Sequence, residues 1–94
     1  MADPLTSTEL DDALASLAGW EVVDGSLHRE LKFADFPEAM AFMTRIAFTA
    51  EKMGHHPNWS NVYNTVVVDL STHDAGAITA LDVDLAKKID EVAG

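Results

Sequence analysis

The sequence contains no cysteine among its 94 residues. Disulfides, thiol nucleophiles and thiolate metal sites are therefore excluded, and nothing in the composition requires an oxidising compartment. Basic residues are scarce as well, because 6 lysines and arginines stand against 16 acidic residues, for a net charge of −10. Such a chain is repelled by phosphate backbones and anionic lipid surfaces, so we expect no direct nucleic-acid binding and no membrane partner.

Long apolar runs are also missing. No segment approaches the ~20 apolar residues of a membrane span, and the N-terminus lacks the basic and apolar regions of a signal peptide. We therefore expect a soluble, cytoplasmic protein. Apolar residues nevertheless make up 48% of the chain. That content is sufficient for one modest core, so we predict a single domain over residues 1–94.

Three segments have the apolar periodicity of one-sided helices. Capping boxes begin two of them, because Thr6 is followed by Glu9 and Thr79 by Asp82. Proline in the first turn and glycine at the end bound the other. The predicted helices cover residues 7–18, about 37–53, and the segment that follows Thr79.

Two hairpins separate these helices. Asp24-Gly25 between alternating segments is a strong two-residue turn signal, and Tyr63-Asn64 is the predicted turn of the second hairpin. The predicted strands are 20–23, 26–33, 59–62 and 65–72. The order α-β-β-α-β-β-α predicts an α+β fold, a four-stranded antiparallel sheet with three helices on one face. Because a small sheet has bare edges, we also expect a homo-oligomer.

Three of the four histidines lie close together in the second half of the chain. His55 and His56 follow the second helix, and His73 follows the last strand, so all three lie where functional side chains are often displayed. Glu51 lies in the final turn of that helix. Imidazole accepts and donates protons near neutral pH, so this group suits general acid–base catalysis.

The residues alone leave alternatives open. The histidine pair could simply end a helix, or the three histidines with Glu51 could bind zinc or another divalent metal. Consecutive histidines rarely both ligate one ion, which favours acid–base work over a metal site. We interpret His28 as a surface residue, and Tyr63 as either a core or a site aromatic. We expect methionines 40, 43 and 53 to lie in the core. The acidic residues of the third helix should form a solvated face, and Asp82 in its first turn is in addition a candidate site residue.

The segment Glu51-Lys52-Met53-Gly54-His55-His56-Pro57-Asn58-Trp59, with the later Ser71-Thr72-His73 and Asp82, resembles the signature of pterin-4a-carbinolamine dehydratases. The likeness extends upstream through Phe42-Met43-Thr44-Arg45 and Trp20, and so covers nearly the whole chain. It implies the fold predicted above, assembled as dimers or tetramers.

The resemblance also implies a reaction. A hydro-lyase of this family eliminates water from 4a-hydroxytetrahydropterin and gives quinonoid dihydropterin, which recycles the pterin cofactor of aromatic amino acid hydroxylases. The substrate is then a small pterin, and neither a metal nor a cofactor is required.

Residue by residue, the family pattern assigns two sets of site positions. His55 and His73 would act as the acid–base pair. His56 would hold the polar edge of the pterin and orient the others, and Glu51 would support the base or hold a histidine tautomer. The implied catalytic residues are His55, His56, His73 and Glu51, and the implied substrate-binding residues are Pro57 and Trp59 as pocket walls and Asp82 at the rim.

Two positions depart from the family pattern. Gly54 stands where well-known members carry an acidic residue, and Leu81 stands where an arginine is frequent. Both changes affect substrate contacts at the rim more than the acid–base groups. The alternative is that the chain is a non-catalytic binding, assembly or regulatory protein on the same fold. Loss of His55 or His73 from the sequence would have favoured this alternative.

Overall fold

The computed structural model describes residues 2–94 and shows the predicted α+β fold, with the order α-β-β-α-β-β-α. The helices are α1 (Ser7–Ala15), α2 (Phe36–Met53) and α3 (Ala80–Ala93), and the strands are β1 (Glu21–Val23), β2 (Ser26–Lys32), β3 (Asn58–Val62) and β4 (Thr65–Leu70). The strands form one antiparallel sheet in the order β1-β2-β4-β3. None of the helices in residues 2–94 is both long and apolar enough to cross a membrane.

Local capping chemistry sets the helix starts. Both predicted capping boxes are present, with the Thr6 and Thr79 side chains as N-caps of α1 and α3. At the start of α2, the Asp35 carboxylate accepts a hydrogen bond from the Glu38 backbone N–H at 2.9 Å. These side chains satisfy backbone donors that have no partner within the helix, so each start is specified by a few neighbouring residues.

The two hairpins turn where the sequence predicts. Asp24 and Gly25 both adopt positive φ, at 50° and 78°, which matches the twist of the flanking strands. Val22 consequently lies opposite Leu27. Tyr63 also has a positive φ of 52° in the turn between β3 and β4.

The core lies between the sheet and the helices. Leu27 and Leu31 of β2 alternate with polar neighbours and are buried, as are the apolar residues Val66, Val68 and Leu70 of β4. The helices complete this core with buried side chains that include Phe42 and Ile46 of α2 and Leu85 and Ile89 of α3. Strands β2 and β4 are central in the sheet. The loop that follows β4 lies beside the loop that follows α2, which carries His55 and His56.

Two local predictions were wrong. Helix α1 ends at Ala15 rather than Ala18, because the Ser16 hydroxyl and N–H both bond the Ala13 carbonyl and the chain then turns. Leu17, beyond this end, is buried in the core. Met40 is 41% exposed and is therefore not a core residue, since the apolar stripe of α2 is wider than its buried face. Of the two positions left open for Tyr63, the core is excluded, because Tyr63 is exposed in its turn.

Candidate active site

The end of α2 places the histidine pair. Gly54 follows the helix in the left-handed conformation, with φ 65°. Its N–H bonds the Glu51 carbonyl at 3.1 Å, and the His55 N–H bonds the Ala50 carbonyl at 3.0 Å. These two bonds form a Schellman motif, which requires a positive φ and so favours glycine. Gly54 therefore ends the helix in a turn after which His55 reaches Asp82 at the start of α3.

The third histidine is presented by a tight loop after β4. The Thr72 N–H bonds the Ala77 carbonyl at 2.9 Å, and the Gly76 N–H bonds the Thr72 carbonyl at 2.9 Å. His73 lies inside this closed turn and its side chain is exposed. The loop fixes the backbone of His73 while leaving its imidazole accessible.

The structure brings the three predicted histidines together on one cleft of about 340 Å³. The cleft lies between the loop that follows α2, the loop that follows β4 and the first turn of α3. Its lining residues are Gly54, His55, His56, Ser71, Thr72, His73, Asp74 and Leu81. This volume falls in the range of small-molecule sites.

His55 is the buried member of the group. Its residue exposure is 8%, and its Nε2 lies 2.5 Å from Oδ1 of Asp82, which is fully buried. The other oxygen of Asp82 accepts hydrogen bonds from the Thr72 hydroxyl and the Thr79 N–H, each at 2.9 Å. A buried imidazole is thus held in one orientation by a carboxylate that is itself held on both oxygens.

His56 has the same kind of partner in a different setting. Its Nε2 lies 2.8 Å from Oε1 of Glu51, and both side chains are largely exposed. Glu51 does not line the cleft and contacts it only through His56. The predicted support by Glu51 therefore has a geometric route, which runs to His56 and not to His55.

Asp82 lies at the start of α3, as expected, but the predicted rim position was wrong because Asp82 is fully buried behind His55. Its Oδ2 completes the capping box with Thr79. One carboxylate thus caps a helix and orients an imidazole. The capping-box pattern showed the first role; the second depends on a contact between residues distant in the sequence.

Pro57 and Trp59 are not among the residues that line the cleft. Trp59 lies opposite Val68 on β4 and packs against the core. Their assignment as pocket walls stays a prediction. The sequence did not single out Thr72 as a site residue, although its position directly before His73 placed it in the quoted motif.

Within residues 2–94, no three or more histidine, aspartate or glutamate side chains are arranged to hold a metal ion. The Nε2 atoms of His55 and His56 each face a separate carboxylate.

A family model described as pterin 4 alpha carbinolamine dehydratase matches residues 3–92. The chain belongs to this family. Its site therefore lies on a pterin-4a-carbinolamine dehydratase scaffold, and the histidine cleft occupies the segment in which the resemblance was found.

Relatives cover the chain almost completely. A protein of Solibacter usitatus, provisionally named a pterin-4-alpha-carbinolamine dehydratase, is 54% identical over 93 residues, which are 99% of this chain and 98% of the relative. A relative from Prochlorococcus marinus with the same provisional name is 50% identical over 94% of this chain and 92% of its own length.

Two solved structures share the fold. A transcriptional coactivator/pterin dehydratase from Brucella melitensis aligns with a TM-score of 0.95 and 44% identity, covering 98% of this chain and all of that one. A pterin dehydratase-like protein identified as a RuBisCO assembly factor in the alpha-carboxysome aligns with a TM-score of 0.67 over 80% of this chain and 87% of that one. At 21% identity, the second likeness concerns the fold alone.

Proposed function

We propose that this protein eliminates water from 4a-hydroxytetrahydropterin to give quinonoid dihydropterin, and so recycles the pterin cofactor of aromatic amino acid hydroxylases. The observation that carries the proposal is the convergence of His55, His56 and His73 on one cleft in which His55 is backed by a buried carboxylate. Family membership supplies the reaction class.

The elimination needs two proton transfers. The C4a–O bond breaks as the leaving hydroxyl accepts a proton and departs as water. The N5–H bond loses its proton, and its electron pair forms the new N5=C4a double bond. One imidazole supplies the first proton and another accepts the second, so the net change is loss of one water and exchange with solvent restores both imidazoles.

The geometry favours His55 and His73 for these two transfers. They come from different elements, the loop after α2 and the loop after β4, and they line the same cleft. A planar bicyclic substrate between them can be contacted at two separate atoms. His56 is exposed and paired with Glu51, which fits a role in holding the polar edge of the pterin. Asp82 acts through His55, since its burial keeps it from the substrate.

A coupled assay tests the proposal. A pterin-dependent phenylalanine hydroxylase generates the carbinolamine, and formation of quinonoid dihydropterin is followed by absorbance with and without this protein. We expect catalytic amounts to accelerate dehydration beyond the spontaneous rate, in proportion to protein concentration. An unchanged rate at all concentrations would contradict the proposed activity.

We also propose a homo-oligomer, at least a dimer. Among residues 2–94, strand β3 pairs with β4 alone, so one of its edges is open, and Val62 at its end is 78% exposed. Pairing of this edge across a two-fold axis would extend the sheet and cover the open backbone groups. Light scattering should give at least about twice the chain mass of 10.2 kDa at micromolar concentration. A particle of the single-chain mass would count against the dimer.

A second candidate function is binding or regulation without catalysis. The Brucella relative is described as a transcriptional coactivator as well as a dehydratase. Helix α2 also exposes Phe36, Met40 and Phe48 at spacings of four and eight residues, which places them on one face. The coupled assay separates the two candidates, because a purely binding protein would leave the dehydration rate unchanged.

A further inference from the structure

The hydrogen bonds behind His55 have a definite direction. Oδ2 of Asp82 is approached by two groups, the Thr72 hydroxyl and the Thr79 backbone N–H, each at 2.9 Å. The backbone N–H can only donate. The Thr72 hydroxyl donates the other bond, so Oδ2 accepts from two groups.

This direction extends to Thr79. Thr72 has one hydroxyl hydrogen, and that hydrogen is committed to Asp82. The Thr79 hydroxyl, 2.7 Å from Oγ1 of Thr72, must therefore be the donor of that bond. Its own oxygen accepts from the Leu81 N–H at 3.2 Å. Hydrogen bonds thus run in one direction, from the first turn of α3 through Thr79 and Thr72 to Asp82.

Asp82 acts as an acceptor in this arrangement, since Oδ2 receives two hydrogen bonds and a carboxylate has no hydrogen to donate. The hydrogen between Asp82 and His55 is therefore carried by Nε2 of His55, which donates to Oδ1. In the neutral ring, Nδ1 is then the atom with a free lone pair.

Nδ1 of His55 is not fully buried, and His55 lines the cleft. This atom makes no hydrogen bond among residues 2–94. Every fully buried side-chain nitrogen or oxygen in these residues has a hydrogen-bond partner, so Nδ1 must be at least partly exposed. The charged or titratable groups around His55 are Asp82 behind it and His56, His73 and Asp74 along the cleft. Glu51 is held on the far side of His56.

We propose that Thr72 is a positioning residue, which with Thr79 fixes His55 as the Nε2–H tautomer and so makes Nδ1 the atom that exchanges a proton with the substrate. This role goes beyond the proposed dehydration, which does not specify the atom. One residue of the loop then orients the first histidine through Asp82, while its neighbour presents the second.

The tautomer can be measured without any activity. Long-range ¹H–¹⁵N correlation spectra of the ¹⁵N-labelled full chain, taken where the imidazole is neutral, report which ring nitrogen carries the proton. We expect the Nε2–H pattern for His55 in the unmodified protein. An Nδ1–H pattern would overturn the inference, whatever the behaviour of any variant.

Substitutions at Thr72 test its part in this arrangement. Thr72→Val keeps the side-chain shape but removes the hydroxyl, and we expect a mixed or altered His55 tautomer. Thr72→Ser restores the hydroxyl and should restore the Nε2–H pattern. Thr65→Val on β4 is the matched control, because its hydroxyl reaches only Asn64, at 3.3 Å. A His55 spectrum unchanged by Thr72→Val would overturn the role of Thr72.

Kinetics add a second readout that rests on the proposed function. Loss of a hydrogen bond to a charged group predicts a roughly 10- to 100-fold lower kcat for Thr72→Val. KM should stay within about twofold, because Thr72 acts through His55, and Thr72→Ser should recover most of the loss. Equal kcat in Thr72→Val and the unmodified protein would contradict the role. A protein with the expected tautomers but no dehydration would retain the positioning and refute only the proposed function.

Discussion

Two adjacent histidines show how burial changes the meaning of the same interaction. His55 and His56 each place Nε2 against a carboxylate oxygen, at 2.5 Å to Asp82 and 2.8 Å to Glu51. The side chains of the first pair are 10% and 0% exposed, whereas those of the second are 65% and 80% exposed. The two contacts join the same chemical groups, an imidazole and a carboxylate, but the first is buried and the second is exposed to solvent.

This difference in burial determines how much each pair can contribute to the stability of the fold. An exposed ion pair is screened by water and salt and is typically worth 0 to ~1 kcal/mol. Removing one partner of a buried pair leaves the other without a partner in a low dielectric, at a typical cost of ~3–5 kcal/mol. We therefore expect the Asp82–His55 pair to matter for both stability and activity, and the Glu51–His56 pair to have the smaller effect on each.

The largest effect should come from breaking the buried pair. Asp82→Asn removes the carboxylate that orients His55, and we expect kcat to fall by about 10–100-fold. Stability should fall by about 3 kcal/mol, at the lower end for buried pairs because the amide oxygen can still cap the helix. Thermal unfolding and the coupled assay measure both.

Asp84→Asn is the matched control for this variant. It lies on the same helix with an exposed side chain, so its stability should change by less than ~0.5 kcal/mol and its activity little. If Asp82→Asn behaved like Asp84→Asn in both assays, burial would not distinguish the two carboxylates and the comparison would fail.

The exposed pair should give a smaller effect. Glu51→Gln weakens the hold on His56, and we expect kcat/KM to fall by less than about tenfold, with a stability change below ~1 kcal/mol. Because the pair is exposed, raising the ionic strength should reduce the difference between the variant and the unmodified protein. Glu30→Gln, exposed on β2, serves as the control. A stability loss as large as that of Asp82→Asn would contradict the contrast between the pairs.

A third pair tests whether any histidine–carboxylate contact matters to activity. His28 bonds Asp69 at 2.8 Å on the sheet face that is turned away from the helices, and neither residue lines the histidine cleft. We expect His28→Gln to leave kcat and KM within about twofold of the unmodified protein. A large loss of activity in this variant would show that the cleft is not the whole site.

The smallest effect is expected from metal removal. The proposed chemistry uses only imidazoles, so prolonged treatment with a chelator should leave the dehydration rate unchanged. Activity that is lost on chelation and restored by zinc would contradict the acid–base account and revive the metal alternative.

Most of the fold could be predicted from the sequence because it depends on local chemistry. The capping boxes at Thr6 and Thr79, and the Asp24-Gly25 turn, act through residues within a few positions of one another. The alternation along β2 then fixes which side faces the helices. The end of α1 could not be predicted in this way, because Leu17 continues the apolar stripe of the helix in the sequence but lies beyond its last residue in the structure.

The site, too, could be predicted only where local patterns in the sequence report it. The positions of His55, His56 and His73 at loops and strand ends indicated a common cleft, and the family resemblance named the same residues. The contact between Asp82 and His55 joins the first turn of α3 to the loop after α2, and no local pattern reports it. Arg29 gave no signal either, although it lies on the helix side of β2 and binds Asp90, which also accepts from Trp20 Nε1.

The most direct test of the account is the set of alanine substitutions at His55 and His73, alone and together, in the coupled assay. Each single change should lower kcat by about 10–10³-fold, because one assisted proton transfer remains and water replaces the other group in part. The double variant should approach the spontaneous rate, and the two losses should combine to less than their product since both groups act on one elimination. A double variant that keeps full activity would contradict the central claim that these two imidazoles carry the reaction.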